Sequence, residues 1–494
     1  MDWSISRRQF IAFTSAYAVF QSQLPIPWPR AETATGRVRE NIRVFAEDPE
    51  KVTALRLAIK TMKEKSANNK HDPLGWDYWA AVHGTDEAVP PNLESIYNQC
   101  VHRGTHFLSW HRAFLFYFEA VLKRSAEEAG ASAQIELPYW DWYSDPALPA
   151  IFTDQKTNPL WHPRATEDLT GVTLYRNTFT FKELLPAAGI PAVKTFSRSL
   201  EWNPHNTVHG IVGGDSQDMG DPQKSARDPI FWLHHANIDR LWSAWMKGGN
   251  RLTPPSDSEW GKTSWQFDEK GQWRQTAGAI LDSTKPPLGY RYDDETMPMF
   301  EILVATAPQP EIIETKPSPG IIEWLKGLQG AIKGAPTGTI STTSGSVKLG
   351  NDTVAVDLKI PAQEANQLSN WAARGTSDVE SATLVFQNIK VLEANRGFSF
   401  TVLVSLPGAE SKLPRVAVGE LGPFSLGVVR HHTHGNKPTL ELPLSEILPA
   451  FDSLSPGALE SGLRVIFEPA HPPKEGSPQF IEIAEVRLDV TTAQ

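Results

Sequence analysis

The sequence has almost no cysteine. Cys100 stands alone among 494 residues, so no disulfide can form within the chain, and stability must come from core packing or from metal. Positive charge is also in deficit, with 47 Lys and Arg against 57 Asp and Glu and a net charge of −10. That balance leaves no basic face to offset phosphates and excludes nucleic acid and anionic membranes as partners. Beyond the N-terminal segment, no apolar run is long enough to span a bilayer. Tryptophan, by contrast, is abundant at 17 residues, and many of these lie near histidines. With 40% hydrophobic and 21% charged residues, the composition is that of a soluble protein with a substantial core. The length suits two domains.

The segment Ser6-Arg7-Arg8-Gln9-Phe10-Ile11, followed by apolar residues to Phe20, reads as a twin-arginine signal occupying residues 1–30. It predicts an exported protein, and a cytoplasmic one if the arginine pair is incidental. Apolar residues then recur at helical spacing over 52–65, 107–128 and 230–246, with long loops rich in proline and tryptophan between them. We divide the chain into a helical domain at 31–305, a Pro/Gly-rich linker at 306–345 and a β-sandwich at 346–494. The linker reading rests on Pro308, Pro310, Pro317 and Pro319, with a short amphipathic helix expected near 321–328. Beyond it the period switches to two, over 353–360, 398–404 and 480–490, which predicts strands.

Eight of the 14 histidines fall in two groups. His83, His102, His106 and His111 form the first; His205, His209, His234 and His235 form the second. Imidazole clusters with almost no thiol point to copper, zinc, iron or nickel. His205 and His209, four apart, share one face of a helix that Pro204 is placed to start. His234 and His235 point about 100° apart on a helix, so only one of them should hold a given ion. No His-Glu-x-x-His is present, which removes the zinc-protease reading.

At this point a family resemblance appears. His102-Arg103-Gly104-Thr105-His106 through His111-Arg112 to Glu119 resembles the first-copper signature of tyrosinases, and Asp228-Pro229 through Phe231 to His235 and Asp239 resembles the second. Leu137–Trp142, Gly213-Gly214 with Met219, and Leu288–Tyr292 also resemble family landmarks. The likeness covers about residues 40 to 300. It implies a mainly α copper domain with a four-helix core and long loops, followed by an all-β sandwich, and an oxidoreductase with two copper ions as cofactor. Carried over by position, His102 and His111 hold the first copper and His205, His209 and His235 the second. His83 is the choice for the remaining ligand, with His71 the runner-up. His234 then lies behind the ligands, Asp239 is a candidate to orient an imidazole, and His106 is structural or lines the pocket mouth.

The resemblance implies small phenols and O2 as substrates: ortho-hydroxylation of monophenols and oxidation of catechols to quinones. Cys100, two residues before His102, matches the spacing at which fungal tyrosinases carry a cysteine–histidine thioether. Glu201 and Asn206 match residues that hold a proton-accepting water, the feature expected of monophenol hydroxylation. A phenol's pKa near ~10 makes that proton costly to remove at neutral pH. Gly422–Gly427, His431-His432-Thr433-His434 and Leu440–Leu448 resemble, more weakly, the sandwich that follows the copper domain in plant polyphenol oxidases. Plant members carry disulfides and an intervening region that this chain lacks. The implied enzyme is latent until that domain is displaced or cut away. Rival readings are a catechol or o-aminophenol oxidase without monophenolase activity, a haemocyanin-like O2 carrier, and a zinc-bound structural module. Oligomeric state is not legible.

Overall fold

The computed structural model describes residues 36–154, 156–170, 172, 196–198, 200–247, 253–298, 311–317, 337–343, 345–360, 379–392, 398–405, 416–433, 438–444, 462–470 and 479–492. The export-signal region and the amphipathic stretch at 321–328 lie outside the described residues. The longer helices are α1 (Pro49–Asn68), α2 (Trp76–His83), α3 (Phe107–Glu128), α4 (Asn206–Gly213), α5 (Pro229–Lys247) and α6 (Pro423–Thr433). None is long and apolar enough to cross a membrane. The chain divides into two compact units, Met1–His162 with Gln223–Thr296, and Pro163–Pro222 with Met297–Gln494.

The first unit is built on α1, α2, α3 and α5. Asp48 caps α1 by accepting hydrogen bonds from the N–H groups of Glu50 and Lys51, and Pro49 fills its first position. One stripe of α1 is buried (Val52, Leu55, Ile59, Met62), whereas α3 is buried all round from Phe107 to Glu119. A helix enclosed on every side must be central, and it must pair any charge that it carries. Glu119 meets Arg37 at 2.7 Å and Arg39 at 3.0 Å from β1 (Arg37–Arg39). Arg112 meets Asp239 of α5 at 2.5 Å. The hairpin of β2 (Ser264–Gln266) and β3 (Arg274–Thr276) follows α5. The last strand, β4 (Tyr290–Tyr292), pairs in parallel with β1 and delivers two tyrosine hydroxyls to Asp239, each donating at 2.6 Å.

The second unit is a ten-stranded sheet with α4 and α6. Its strands are β5 (Glu311–Pro317), β6 (Thr337–Thr343), β7 (Val347–Leu349), β8 (Val354–Leu358), β9 (Val379–Val391), β10 (Phe400–Ser405), β11 (Val416–Leu421), β12 (Leu440–Pro443), β13 (Leu463–Pro469) and β14 (Ile481–Thr492). The order is β11-β10-β13-β8-β5-β6-β14-β9-β12, with β7 on β14. The first half of β5 pairs in parallel with β8 and its second half antiparallel with β6, so one strand turns the corner between two half-sheets. Alternate residues from both halves, such as Val356, Leu384, Phe386, Val402, Phe467 and Ile483, share one core.

Two sequence expectations need correction. The proline-rich linker at 306–345 contributes two strands, because its prolines bracket Ile312 and Ile313 without interrupting them. The C-terminal sandwich is not all-β. It carries α6, and it packs with residues 163–222, whose Trp202 lies in the sheet's own core.

Candidate metal centre

In the first unit, α2 ends on His83, and the turn before α3 carries Cys100 and His102. His111 faces them from the first turns of α3. One donor atom from each of these four residues lies within 4.8 Å of the other three. The imidazole rings form a near-equilateral triangle, with centroids 5.5 Å (His83–His102), 5.7 Å (His83–His111) and 5.7 Å (His102–His111) apart. The Nδ1–H of His111 donates to the Phe107 carbonyl at 2.8 Å. That bond fixes the tautomer and leaves the Nε2 lone pair facing Cys100 Sγ at 3.4 Å. Cys100 Sγ is also 3.4 Å from His102 Nδ1.

His71 lies elsewhere. Its Nδ1 is 3.1 Å from the Tyr97 hydroxyl, and it lines a cavity of about 220 Å³ with Lys70, Glu87 and Arg227. His106 stacks on Trp260 at 4.8 Å, edge-on to Trp265. His235 stacks on His111 at 4.2 Å and packs on Phe231 at 4.3 Å. The indole N–H of Trp142 donates to His234 Nδ1 at 3.0 Å, which puts the proton of a neutral His234 on Nε2. Asp239 does not brace an imidazole as expected. Its carboxylate is taken by Arg112, Arg39, Tyr290 and Tyr292, because two buried guanidinium groups demand a counter-charge.

The second unit holds His205 and His209, with ring centroids 4.5 Å apart. Pro204 does not start their helix, as the spacing suggested. It lies inside a π turn, Glu201–His205, that runs into α4. Proline has no N–H to give and crowds the carbonyl four residues back, so the turn widens and the N–H of Asn206 reaches the Glu201 carbonyl instead. His205 Nδ1–H donates to Asn206 Oδ1 at 2.8 Å, and His209 Nδ1–H to the Met219 carbonyl at 2.8 Å. Met219 reaches that position through a tight crossing: a Cβ on Gly213 would meet the backbone of Gly220, and one on Gly220 the carbonyl of Gly214. Complete burial lowers the pKa of His205 to about 3 against the smaller opposing effect of its hydrogen bonds. The ring is therefore the neutral imidazole that a metal requires. Glu201 and Asn206 are both buried beside it.

Copper fits these donors. Neutral imidazoles with their outer nitrogens fixed by carbonyl or amide oxygens, and one soft sulfur at the first group, suit a copper ion better than a hard, oxygen-seeking cation. A sequence model of the common central domain of tyrosinase matches residues 73–186 and 166–248. A tyrosinase from Hahella sp. is 27% identical over 402 residues, covering 72% of this chain and 78% of that one. The chain carries the common central domain of the tyrosinase family over residues 73–248. Members of this family are dinuclear copper oxidoreductases, and so is this protein. A chloroplastic polyphenol oxidase from Malus domestica is 28% identical over 283 residues, and this chain spans 46% of its length. The structure of a latent apple tyrosinase shares the fold, with a TM-score of 0.50 at 20% identity, covering 92% of this chain and 97% of that one.

Two contacts were not foreseen from sequence. Phe424 of α6 stacks on His209 at 4.0 Å and 17° and stands edge-on to His205 at 5.5 Å. In the sequence Trp142 stands only within the Leu137–Trp142 landmark, and nothing there signals its bond to His234.

Proposed function

We propose that the protein uses O2 to hydroxylate monophenols ortho to their OH and to oxidise o-diphenols to o-quinones. The observation that carries this reading is the His83–His102–His111 triangle with its fixed His111 tautomer, inside the matched tyrosinase domain. His83, His102 and His111 hold one copper and, following the family pattern, His205, His209 and His235 the other. His234 stays behind the ligands, in keeping with its bond from Trp142. When bound, copper supplies the redox capacity for O2 and a Lewis-acid site for the phenolate.

The remaining work falls to side chains. Carbonyl and amide acceptors hold the Nδ1 protons of His111, His205 and His209, so each ring keeps one orientation. Glu201 accepts the phenolic proton through a water that it holds with Asn206, a step whose value lies in the phenol's high ordinary pKa. Cys100 becomes joined to His102 through a thioether, which pins a ring that sits on a loop rather than a helix. The intact chain is latent, because Phe424 covers one face of His209.

The deciding experiment is turnover of a monophenol and a catechol by the copper-loaded full chain and by Glu201→Gln. The variant should lose monophenol turnover by about a hundredfold, in the range typical of a general base, while catechol turnover falls far less. Equal losses on both substrates would remove Glu201 from the role, and catechol turnover alone in the parent would make the protein a catechol oxidase.

A further inference from the structure

Glu420, at the end of β11, is buried to 1% exposure in the corner where the chain turns from that strand into α6. The Ser399 hydroxyl donates to its Oε1 at 2.6 Å, while its Oε2 is buried with no hydrogen-bond partner among the described residues. The carboxyl folds back over Gly422: a Cβ there would strike Glu420 Oε1 and press on the Phe398 carbonyl. Ser425 closes the same corner, accepting from the Gly422 N–H at 3.0 Å and donating to the Gly422 carbonyl at 3.1 Å. Four residues past Glu420, Phe424 lies on His209. On the other side, Gly210 of α4 brings its Cα against Pro423, where a Cβ would sit 3.5 Å from the ring. The carboxyl is thus built into the joint that seats the Phe424 helix.

We propose that Glu420 is a pH latch for α6: neutral, it keeps the helix and Phe424 seated on His209, and ionised, it loosens them. This rests on the reading of Phe424 as the cover of the site. A carboxylate with one oxygen buried and unpartnered is much costlier than the neutral acid in the same place. Burial accordingly raises the carboxyl from 4.5 to about 7, with the Ser399 and Ser425 hydroxyls pulling weakly the other way. Charged or titratable residues on the surrounding elements are Glu201, His205 and His209, Arg430, His431 and His432 of α6, Glu441 of β12, and Arg464 and Glu468 of β13; burial and the two serines govern the ionisation.

The sign follows from linkage. A released helix exposes Glu420, whose pKa then returns to the ordinary 4.5. Seating is at full strength below about 4.5, weakens up to tenfold for each pH unit above it, and levels off once pH passes about 7. From pH 5 to pH 8 the open fraction should rise roughly a hundredfold.

The test is hydrogen exchange of the 423–433 amides in the copper-loaded full chain at pH 5 to 8, corrected for intrinsic exchange, beside catechol turnover. The parent should show the pH-driven opening with a parallel gain in turnover. Glu420→Gln should stay closed at every pH, and Ser399→Ala, which removes the donor favouring the carboxylate, should move the plateau to higher pH. The same pH dependence of exchange in the parent and Glu420→Gln would overturn the latch, as would a Ser399→Ala profile unmoved from the parent's. If Glu420→Gln fails to fold, Ser399→Ala decides alone. Latency is judged separately: helix opening without any change in turnover would keep the latch and discard Phe424 as a cover.

Discussion

At the scale of single residues, the site depends on side chains that never touch a metal. Glu119 is an example. Burial would raise its pKa, but Arg39 and Arg37 at hydrogen-bond distance overrule it and hold it well below its ordinary 4.5. A depressed carboxylate contributes stability that is complete above 4.5 and fades as pH falls through its folded value. Glu119→Gln leaves two guanidinium groups short of a counter-charge and should cost about 3 kcal/mol at pH 7. The gap to the parent should narrow below about pH 4.5. Urea denaturation at pH 7 and pH 3 checks this, and a gap of constant size would show that ionisation at Glu119 is irrelevant. Cys100 makes a second case. Its sulfur lies 3.4 Å from His102 Nδ1, close enough for the ring to be captured. Copper-loaded, air-exposed protein should then lose two hydrogens from its intact mass and stop reacting with thiol reagents, whereas copper-free protein keeps a titratable thiol. A thiol that stays reactive after copper loading and turnover would rule the thioether out.

Secondary-structure elements differ in how openly the sequence declares them. Helix α3 matches its expected bounds, 107–128, because bulky apolar residues recur with the helical period and no proline interrupts them. Strands β8, β10 and β14 are equally open through their alternation. Strand β5 hides between prolines, and α6 hides behind Gly422-Pro423 and Gly427, which read as turn residues. In the fold, Pro423 is the first residue of α6, a position that needs no N–H. Gly427 is tolerated within the helix because a Cβ there would strike the Pro222 ring. The two histidine groups were legible because their spacing within each motif is local; the stacking of Phe424 on His209 was not, since they meet only through the tertiary fold. Replacing Phe424 with Ala should raise turnover by the intact chain about tenfold, equivalent to about 1.4 kcal/mol of relieved occlusion. The gain should fall on KM for bulky phenols more than for small ones. No gain in either parameter would mean that the ring packs the core and does not block substrate.

At the scale of the whole molecule, each folding unit carries proposed ligands of its own. His83, His102, His111 and His235 belong to the first, and His205 and His209 to the second, where Trp202, three residues before His205, is part of the sheet's core. The second pair is therefore held by the same packing that stabilises the β-sheet, and metal binding should stabilise both units. With copper at a thousandfold excess over its dissociation constant, linkage adds about 4 kcal/mol. For a unit of this size that is a rise in melting temperature of roughly 10 °C. Removing copper with a chelator should reverse it, and His102→Ala with His111→Ala, or His205→Ala with His209→Ala, should each abolish only part of the shift. Calorimetry of these forms with copper and with zinc reads the pattern directly. If one pair of substitutions erased the entire shift, a single ion would account for all the stabilisation; if zinc matched copper in stability while only copper gave turnover, the fold would be indifferent to the metal and the chemistry alone would select it.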